Sequence, residues 1–317
     1  MNDRQEYINQ VLNLINAFAD KCEGVVYHYT SSNGLMGIIE NSELWLTNTE
    51  FVNDTTECTA LVTEPNLFPI GRISNKYVID SWEYFKNNPA SNDTYIISFS
   101  EGEGHLLEQL RAYGNFRIGF DAKQIRENPF NLYNCVYSEE EIADWIVEKS
   151  NLKEWDANLL DDDSKSAAAF SLIYAATRKY KNFHFKSENE VRLIVHSHHT
   201  WGLYTNSPSM YEHDPPIHYR IAPGYNFPVP YVKFILSEKT ATSNTQEQHL
   251  PKNHIEMKKR KLTEERRIQR KLLPITEVLV GPMPNQKEAK LACEILLNDN
   301  GYNNVKVETR DIPYRGF

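Results

Sequence analysis

Residues 25–33 read VVYHYTSSN, an apolar run that ends in four polar residues. The β-branched and aromatic residues over 25–29 predict a buried strand. The serines and the asparagine that close the stretch are preferred at helix N-termini, so they predict a short helix over 34–41. Residues 44–47, LWLT, predict a second short strand. A strand, a short helix and a second strand therefore set the first part of the fold.

The rest of the chain continues as short strands with irregularly placed helices between them. Apolar runs predict further strands at 95–100, 116–120, 131–137, 190–195, 231–236, 277–280 and 305–307. Helical spacing of apolar residues predicts helices at 7–19, 106–113, 139–160, 164–181 and 288–298. This order predicts an α+β fold of mixed, mainly antiparallel, short-stranded sheets with flanking helices. The regular alternation of a doubly wound sheet is not seen.

Composition and charge exclude several classes of protein. The chain has 317 residues, of which 40% are hydrophobic, and a formal net charge of −9, which argues against a wholly basic nucleic-acid binder. It has no apolar run of about 18 residues, so no membrane span is expected, and residues 1–20 lack the apolar core of a signal peptide. The four cysteines are far apart in sequence. This spacing favours free thiols in a reducing cytoplasm over a zinc ribbon or a redox dithiol.

One segment departs from the acidic average. Residues 252–273 contain nine basic and three acidic residues, so the segment carries about +6 and the rest of the chain about −15. A polar stretch precedes it, and we call residues 241–273 the basic insert. It is interpreted either as a solvated charged helix between two strands or as a contact surface for nucleic acid or an acidic partner.

His28 is the first candidate for a functional side chain. It lies in an otherwise apolar strand, just before the polar end where ligand-binding groups are often displayed. The helix that follows offers free backbone N–H groups, which suit a phosphate. A structural histidine held by a hydrogen bond is the alternative.

Glu190 is the second candidate. It begins the most apolar strand of the second half, with Glu188 two residues before it and Arg192 two residues after it. Side chains two residues apart share one face of an extended segment. A carboxylate there can bond a ribose hydroxyl or stabilise a developing positive charge. A Glu–Arg ion pair that closes a sheet edge is the alternative.

Other polar positions are open to more than one interpretation. Asn53, Asp54 and Glu57 have the spacing of a helix cap and are an incomplete set of metal ligands. Arg111 could hold a phosphate or pair internally. The chain has no P-loop, GxSxG, HExxH or dinucleotide-binding GxGxxG motif, and we expect no metal.

A series of short motifs occurs along the chain: 27–31 (YHYTS), 37–39 (GII), 44–47 (LWLT), 51–57 (FVNDTTE), 98–100 (SFS), 109–114 (QLRAYG), 119–121 (GFD), 185–194 (FKSENEVRLI), 280–282 (VGP) and 312–315 (IPYR). Together they resemble the bacterial family catalogued as domain of unknown function 2971. The resemblance covers residues 25–315, which favours one elaborated α+β domain over 25–317 with a helical middle at 139–181. An N-terminal helix over 1–24 precedes it. Leu110 departs from the family, which often has Trp there, and the basic insert is unusual for it.

The order of a His-bearing first strand, a helix, a short second strand and a late strand with Glu is also similar to the ADP-ribosyltransferase superfamily. The branch of nucleic-acid-modifying toxins and RNA 2′-phosphotransferases is the most similar. This resemblance implies a split sheet core and NAD as a substrate, without a metal. His28 would contact NAD with Thr30 beside it, Glu190 would be the catalytic carboxylate, and Tyr29 or Tyr113 would stack on nicotinamide. Three further residues would line the same cleft: Asn53, Asp54 and Arg111.

These resemblances lead to one functional expectation and two alternatives. The expectation is an NAD-dependent ADP-ribosyltransferase-like toxin or effector in anti-phage defence, which modifies nucleic acid or protein in the cytoplasm. It would have a cognate antitoxin or defence-complex partner and no membrane attachment. The first alternative is a non-catalytic module that senses a nucleotide or a partner. The second is a nuclease-like effector, against which the lack of a metal-ligand cluster counts.

Overall fold

The structure is a computed structural model, and it describes residues 2–18, 20, 22–52, 58, 60–87, 94–102, 106–126, 131–196, 217–222, 224–236 and 271–310. Within these residues the strands are β1 (Val25–Thr30), β2 (Leu44–Asn48), β3 (Thr94–Glu101), β4 (Phe116–Asp121), β5 (Asn131–Asn134), β6 (Glu190–His196), β7 (Ile217–Ile221), β8 (Pro228–Phe234), β9 (Ile275–Val280) and β10 (Lys306–Thr309). The α-helices are α1 (Asn2–Asn16), α2 (Ser32–Asn41), α3 (Ala60–Thr63), α4 (Lys76–Asn87), α5 (Leu106–Tyr113), α6 (Ala122–Arg126), α7 (Glu139–Ser150), α8 (Asp162–Lys179) and α9 (Gln286–Asp299).

The strands form an open and mostly antiparallel sheet. Along its main path the order is β10-β9-β4-β1-β3-β2-β8-β7, and β6 lies beside this path, paired with β3 and β5. The pair β9–β10 is parallel, and the other ladders among the described strands are antiparallel. The predicted mixed, mainly antiparallel sheet with flanking helices is therefore confirmed.

Strand β3 is where the sheet divides. One edge of β3 pairs with β6 along nearly its whole length. The other edge meets two strands, β1 at Ser100 and Glu101 and β2 at Tyr95 and Ile96. Strand β1 stays paired with β4 over its full length, but its pairs with β3 end at Tyr27. The second half of β1 therefore separates from β3. Residues 97–99 of β3 thus lie between two ladders, and we call this gap the fork.

Helices and hydrophobic clusters cover both faces of the sheet. One face packs against α2 and α9, which contribute Ile39 and Leu297 to the larger core. On the opposite face α1, α3, α4, α7 and α8 form a helical layer with its own core around Trp82 and Leu172. Four residues join α8 to the sheet: Ile96, Tyr133, Ala175 and Ile194. Burial of each isoleucine or leucine side chain contributes roughly 1.5–3 kcal/mol and helps to fix the layers against the sheet.

The opening stretch folds as its sequence predicts. Strands β1 and β2 each extend one residue beyond the predicted spans. The hydroxyl of Ser31 accepts a hydrogen bond from the backbone N–H of Gly34 at 3.3 Å, so it caps α2. Ser42 takes a left-handed conformation with φ of 51° and ends the helix. The predicted helix 106–113 agrees with α5 at both ends.

The predicted helix over 139–160 is too long. Helix α7 ends at Ser150, where the side chain of Asn151 donates to the carbonyl of Val147 at 2.8 Å. The indole of Trp155 donates to the carbonyl of Lys149 at 2.9 Å. These bonds satisfy carbonyls that a longer helix would use. The apolar pattern continues past the end of α7 because Trp155 packs into the helical layer from a 3₁₀ turn.

Other boundaries also differ from the sequence prediction. The predicted strand 131–137 ends at Asn134, and beyond it only Val136 forms an isolated bridge, with Tyr180. The sequence patterns above predict neither α4 nor β7. Helix α4 nevertheless buries one face in the helical layer, whereas β7 lies at one end of the sheet order.

The two ends of the predicted organisation differ in what the structure describes. Helix α1 packs against α8 and joins the helical layer through Leu14. The basic insert lies outside the described residues except for 271–273. Among the described residues, no helix combines the length and the apolarity needed to cross a bilayer.

Candidate functional site

His28 lies in the fork, at the point where β1 leaves β3. Its Nδ1 is 3.0 Å from the carbonyl oxygen of Ser98. Because a carbonyl oxygen only accepts, Nδ1 carries the proton and Nε2 of the neutral ring is an acceptor. The ring also meets the ring of Phe99 edge-on, with centroids 6.0 Å apart. The fork therefore selects one tautomer of His28.

The environment of His28 favours the uncharged ring. Burial lowers the pKa of His28 below its ordinary value of 6.5, and the nearby Arg220 cation lowers it further, whereas the bond to Ser98 acts in the opposite direction. The ring is therefore neutral near pH 7. A neutral imidazole with Nε2 as acceptor can take a hydrogen bond from a ligand hydroxyl.

Glu190 lies at the start of β6, and cations enclose its carboxylate. Oε1 accepts a hydrogen bond from Nε of Arg192 at 3.0 Å, and Oε2 accepts from Nη2 of Arg192 at 3.1 Å. Nζ of Lys181 lies 2.6 Å from Oε2. The hydroxyl of Ser98 also donates to Oε1. With a side chain only 2% exposed, Glu190 is held on all sides by charged or hydroxyl donors.

Lys181 connects Glu190 to a second carboxylate. Its Nζ lies 2.7 Å from Oε2 of Glu188, and the Tyr113 hydroxyl donates to Oε1 of Glu188 at 2.8 Å. We call Lys181, Glu188, Glu190 and Arg192 the ion network. Its two carboxylates balance its two cations, so it carries no net charge.

The ion network holds its central carboxylate ionised. Burial alone would raise the pKa of Glu190, but Arg192 and Lys181 outweigh burial and hold this pKa well below its ordinary value of 4.5. Burial and the adjacent Glu188 raise the pKa of Tyr113, so its hydroxyl stays protonated and continues to donate. The side of the fork near β6 therefore holds a carboxylate that is ionised at neutral pH.

Ser98 brings the two main candidates together. Its backbone carbonyl bonds His28, and its hydroxyl bonds Glu190. Ser98 is itself exposed, unlike its neighbours in β3. His28 and Glu190, far apart in the sequence, therefore meet at one solvent-facing residue in the fork.

Helix α5 connects the ion network to β1. The amide of Gln109 donates to the hydroxyl of Ser100 at 3.2 Å and to the backbone carbonyl of Glu188 at 3.1 Å. Gly114 ends α5 with φ of +127°, and a Cβ there would come within 2.5 Å of the backbone of Thr30. Glycine is therefore required for the end of α5 to pass against the end of β1.

The remaining predicted site residues differ in their position. Tyr29 is buried in a small apolar cluster beneath α5, and Thr30 is buried at the end of β1. Tyr113 is 41% exposed and touches the ion network through its hydroxyl. Arg111 is exposed on α5 and lies two positions from Gln109, so it does not share the face that bonds Glu188. Two predicted residues lie outside the described residues: Asn53 and Asp54.

The β2 side of the fork carries a cation, Arg220 of β7. Its Nη2 donates to the hydroxyl of Thr47 at 2.9 Å, and Thr47 is paired with Ile96 of β3, at the border of the fork. The Arg220 guanidinium lies 5.3 Å from the ring of Trp45 and 5.6 Å from that of Tyr231. In the part of the chain that the structure describes, no carboxylate pairs with Arg220.

Three residues of this site are absent from the sequence-based prediction of site residues: Ser98, Lys181 and Arg220. Ser98 had a signal, because it is a polar residue at an otherwise apolar strand centre. Lys181 follows the end of α8 with no pattern to mark it. Arg220 belongs to a strand that the sequence did not predict.

A pocket in the described residues lies away from the candidate site. A surface pocket of about 340 Å³ lies in the helical layer, lined by residues such as Tyr77, Trp155 and Lys165, and no candidate residue contributes to it. Within the described ranges, no group of three His, Cys, Asp or Glu side chains has the arrangement of metal ligands.

Comparisons with known proteins returned no match. No family model matches the chain, and the searches of curated proteins and of solved structures found no match either. The two family resemblances therefore stay predictions, and the functional interpretation rests on the geometry of the fork.

Proposed function

We propose that the chain is an NAD-dependent ADP-ribosyltransferase-like effector whose active site is the fork of the sheet. The observation that supports this most is the convergence of His28 and Glu190 on Ser98. In the superfamily resemblance, His28 contacts NAD and Glu190 is the catalytic carboxylate. The division of the sheet at β3 corresponds, in this proposal, to the split core of that superfamily.

The residues at the fork fit the chemistry of NAD. The neutral His28 offers Nε2 as an acceptor for a ribose hydroxyl. The exposed ring of Tyr113 offers a surface on which nicotinamide can stack. Ser98 is the exposed partner of the Glu190 carboxylate, so a ribose hydroxyl that replaces the Ser98 hydroxyl would bond Oε1 directly.

Glu190 would act on the glycosidic bond of the nicotinamide ribose. When this bond breaks, its electron pair leaves with nicotinamide and neutralises the pyridinium ring, while positive charge develops at the sugar. A fixed carboxylate beside that charge lowers the barrier. An acceptor nucleophile then bonds the anomeric carbon and loses its proton to solvent water. The low pKa of Glu190 keeps the carboxylate ionised throughout.

The acceptor in this proposal is nucleic acid or protein, and the setting is anti-phage defence in the cytoplasm. A cognate antitoxin or a defence-complex partner would restrain or recruit the effector. Residues 252–273, the charged part of the basic insert, would contact nucleic acid or an acidic partner, in which case binding falls steeply as salt rises.

The test compares two carboxylates of the ion network. Both Glu190 and Glu188 bond Lys181, but only Glu190 contacts Ser98. The purified chain and its Glu190→Gln and Glu188→Gln variants are incubated with labelled NAD and with DNA, RNA or cell lysate. We expect Glu190→Gln to lower kcat for nicotinamide release by roughly 100-fold or more, with a much smaller change in KM. Glu188→Gln should cost less than tenfold.

Thermal unfolding of each variant separates lost chemistry from lost structure. The proposal is overturned when the wild-type chain neither binds nor consumes NAD. Equal losses for both variants, in proportion to lost stability, would also overturn the catalytic role of Glu190.

A non-catalytic module that senses a nucleotide or a partner is the second candidate, and one observation favours it. Both oxygens of Glu190 already accept hydrogen bonds, and the side chain is 2% exposed, as in a purely structural ion pair. This candidate predicts that NAD or a related nucleotide binds at the fork with no release of nicotinamide, and that Glu190→Gln leaves binding intact where the variant folds.

A further inference from the structure

The cations around the fork differ in whether a carboxylate neutralises them. Lys181 and Arg192 belong to the neutral ion network, and Lys233 of β8 lies 2.7 Å from Oε1 of Glu43. Arg220 faces no carboxylate among the described residues. The net charge that this set of side chains presents at the fork is therefore the charge of Arg220.

Arg220 also has hydrogen-bonding capacity that its surroundings do not use. A guanidinium carries five N–H donors, and in Arg220 one nitrogen, Nη2, bonds Thr47. Its Nε is buried and has no hydrogen-bond partner in the described part of the chain. A buried charged donor without a partner is unfavourable, so the protein does not fully stabilise this guanidinium, and its accessible N–H groups remain able to donate to an anion.

Aromatic rings hold the guanidinium in place. The rings of Trp45 and Tyr231 lie 4.6 Å apart between centroids, and Arg220 lies over both. The ring of His218 continues the row, 5.5 Å from that of Tyr231. Such stacking orders the side chain in advance, so less conformational entropy is lost when an anion binds.

Arg220 bonds a side chain on the same face of the sheet as Ser98. It bonds Thr47, which is paired with Ile96 of β3, and Ser98 lies two residues further on the same face of that strand. Its charge is close enough to contribute to the lowered pKa of His28. An anionic group at Arg220 would therefore belong to a ligand that also reaches His28 and Ser98.

We infer that Arg220, held by Thr47, Trp45 and Tyr231, binds the diphosphate group of a nucleotide that occupies the fork. The planar guanidinium can donate two parallel N–H bonds to phosphate oxygens in a bidentate arrangement. The identification of this nucleotide as NAD rests on the proposed function, whereas the anion site itself does not.

The test separates the diphosphate from the nucleoside. Binding of ADP-ribose, adenosine and inorganic pyrophosphate is measured by calorimetry for the wild-type chain, Arg220→Gln, Arg220→Lys and Lys233→Gln. We expect Arg220→Gln to weaken ADP-ribose and pyrophosphate binding by about tenfold or more, with adenosine binding unchanged. Arg220→Lys keeps the charge but not the planar guanidinium, so its loss of affinity for ADP-ribose and pyrophosphate should be several-fold smaller than that of Arg220→Gln. Lys233→Gln should bind all three as the wild type does.

The outcomes distinguish this inference from the proposed function. Pyrophosphate binding that depends on Arg220, in a chain that neither binds nor cleaves NAD, supports the anion site and overturns the NAD proposal. Wild-type binding of neither ADP-ribose nor pyrophosphate overturns the inference, and so does an Arg220→Gln variant that binds both normally. An equal loss in Lys233→Gln points to overall charge instead and also overturns it. Where Arg220→Gln does not fold, Arg220→Lys decides by the same comparison.

Discussion

Lys181 and Arg220 stand on the two sides of one fork, and their surroundings are opposites. Lys181 is 6% exposed and sits between the carboxylates of Glu188 and Glu190. Arg220 donates to one hydroxyl and lies over two aromatic rings, and no described carboxylate forms an ion pair with it. On the side of Lys181, which we call the closed side, carboxylates of the protein neutralise the cations. On the side of Arg220, which we call the open side, no described carboxylate neutralises the cation.

This difference separates what holds the fold from what is left for a ligand. A buried carboxylate that already has its cations stabilises the strand ends and gives Ser98 a fixed position. A cation without a carboxylate partner contributes little to the free energy of folding. Burial lowers the pKa of Arg220, and no described carboxylate offsets this effect. We expect the two sides to differ in energy as they do in geometry.

The largest effect is expected from breaking the closed side. Arg192→Met removes a fully buried cation that makes two bonds to Glu190 and leaves that carboxylate with Lys181 as its one remaining network cation. Removing one partner of a buried ion pair costs about 3–5 kcal/mol. Urea unfolding should show a loss of this order, whereas Arg220→Met on the open side should cost less than about 1 kcal/mol.

A double variant provides the control for this loss. Replacing both partners, in Arg192→Met with Glu190→Leu, removes the unpaired charge and should restore at least half of the lost free energy of unfolding. A small loss in the single variant, equal to that of Arg220→Met, would show that the two sides do not differ in energy.

The next effect is the dependence of stability on pH. The folded-state pKa of Glu190 is lowered, so in acid the unfolded chain takes up this proton first. The stability from Glu190 is present above its ordinary pKa of 4.5 and is lost as the pH falls below that value. One such group gives a slope of at most about 1.4 kcal/mol per pH unit.

Urea unfolding between pH 3 and 6, pH values chosen to span the ordinary pKa of a glutamate, should therefore show a steeper loss for the wild type than for Glu190→Gln. The comparison is needed because the pKa values of Asp121 and Asp161 are lowered as well. Parallel slopes for the two proteins would mean that the ion network does not hold Glu190 ionised.

Local sequence signals were enough to predict the elements around the fork. The apolar run, the Ser31 cap and helix 106–113 depend on residues close in sequence, and the structure shows each of them. The α+β class followed from the irregular order of these elements. The choice of His28 and Glu190 came from polar residues in apolar strands, and their meeting at Ser98 is a fact of register that the sequence does not display.

The open side of the fork could not be predicted in this way. Arg220 is placed by β7, a strand in which the apolar Tyr219 and Ile221 are exposed and Arg220 between them is less exposed, so burial there does not follow hydrophobicity. The contacts with Trp45 and Thr47 join segments far apart in sequence, through β8. Lys181 likewise gains its role from tertiary contact alone. Residues whose function depends on long-range pairing leave no periodic signal.

The smallest effect is expected at the exposed end of the closed side. Tyr113→Phe removes the hydroxyl that donates to Glu188 at 2.8 Å but keeps the ring that the NAD proposal uses for stacking. Because Tyr113 is 41% exposed, water can replace the lost donor, and the free energy of unfolding should fall by about 0.5–1 kcal/mol.

Nicotinamide release by Tyr113→Phe should stay within about twofold of the wild type, while Tyr113→Ala, which removes the ring as well, should weaken NAD binding several-fold. A loss of stability in Tyr113→Phe as large as in Arg192→Met would instead place Glu188 in the same closed environment as Glu190, and the gradient from buried to exposed along the ion network would not hold.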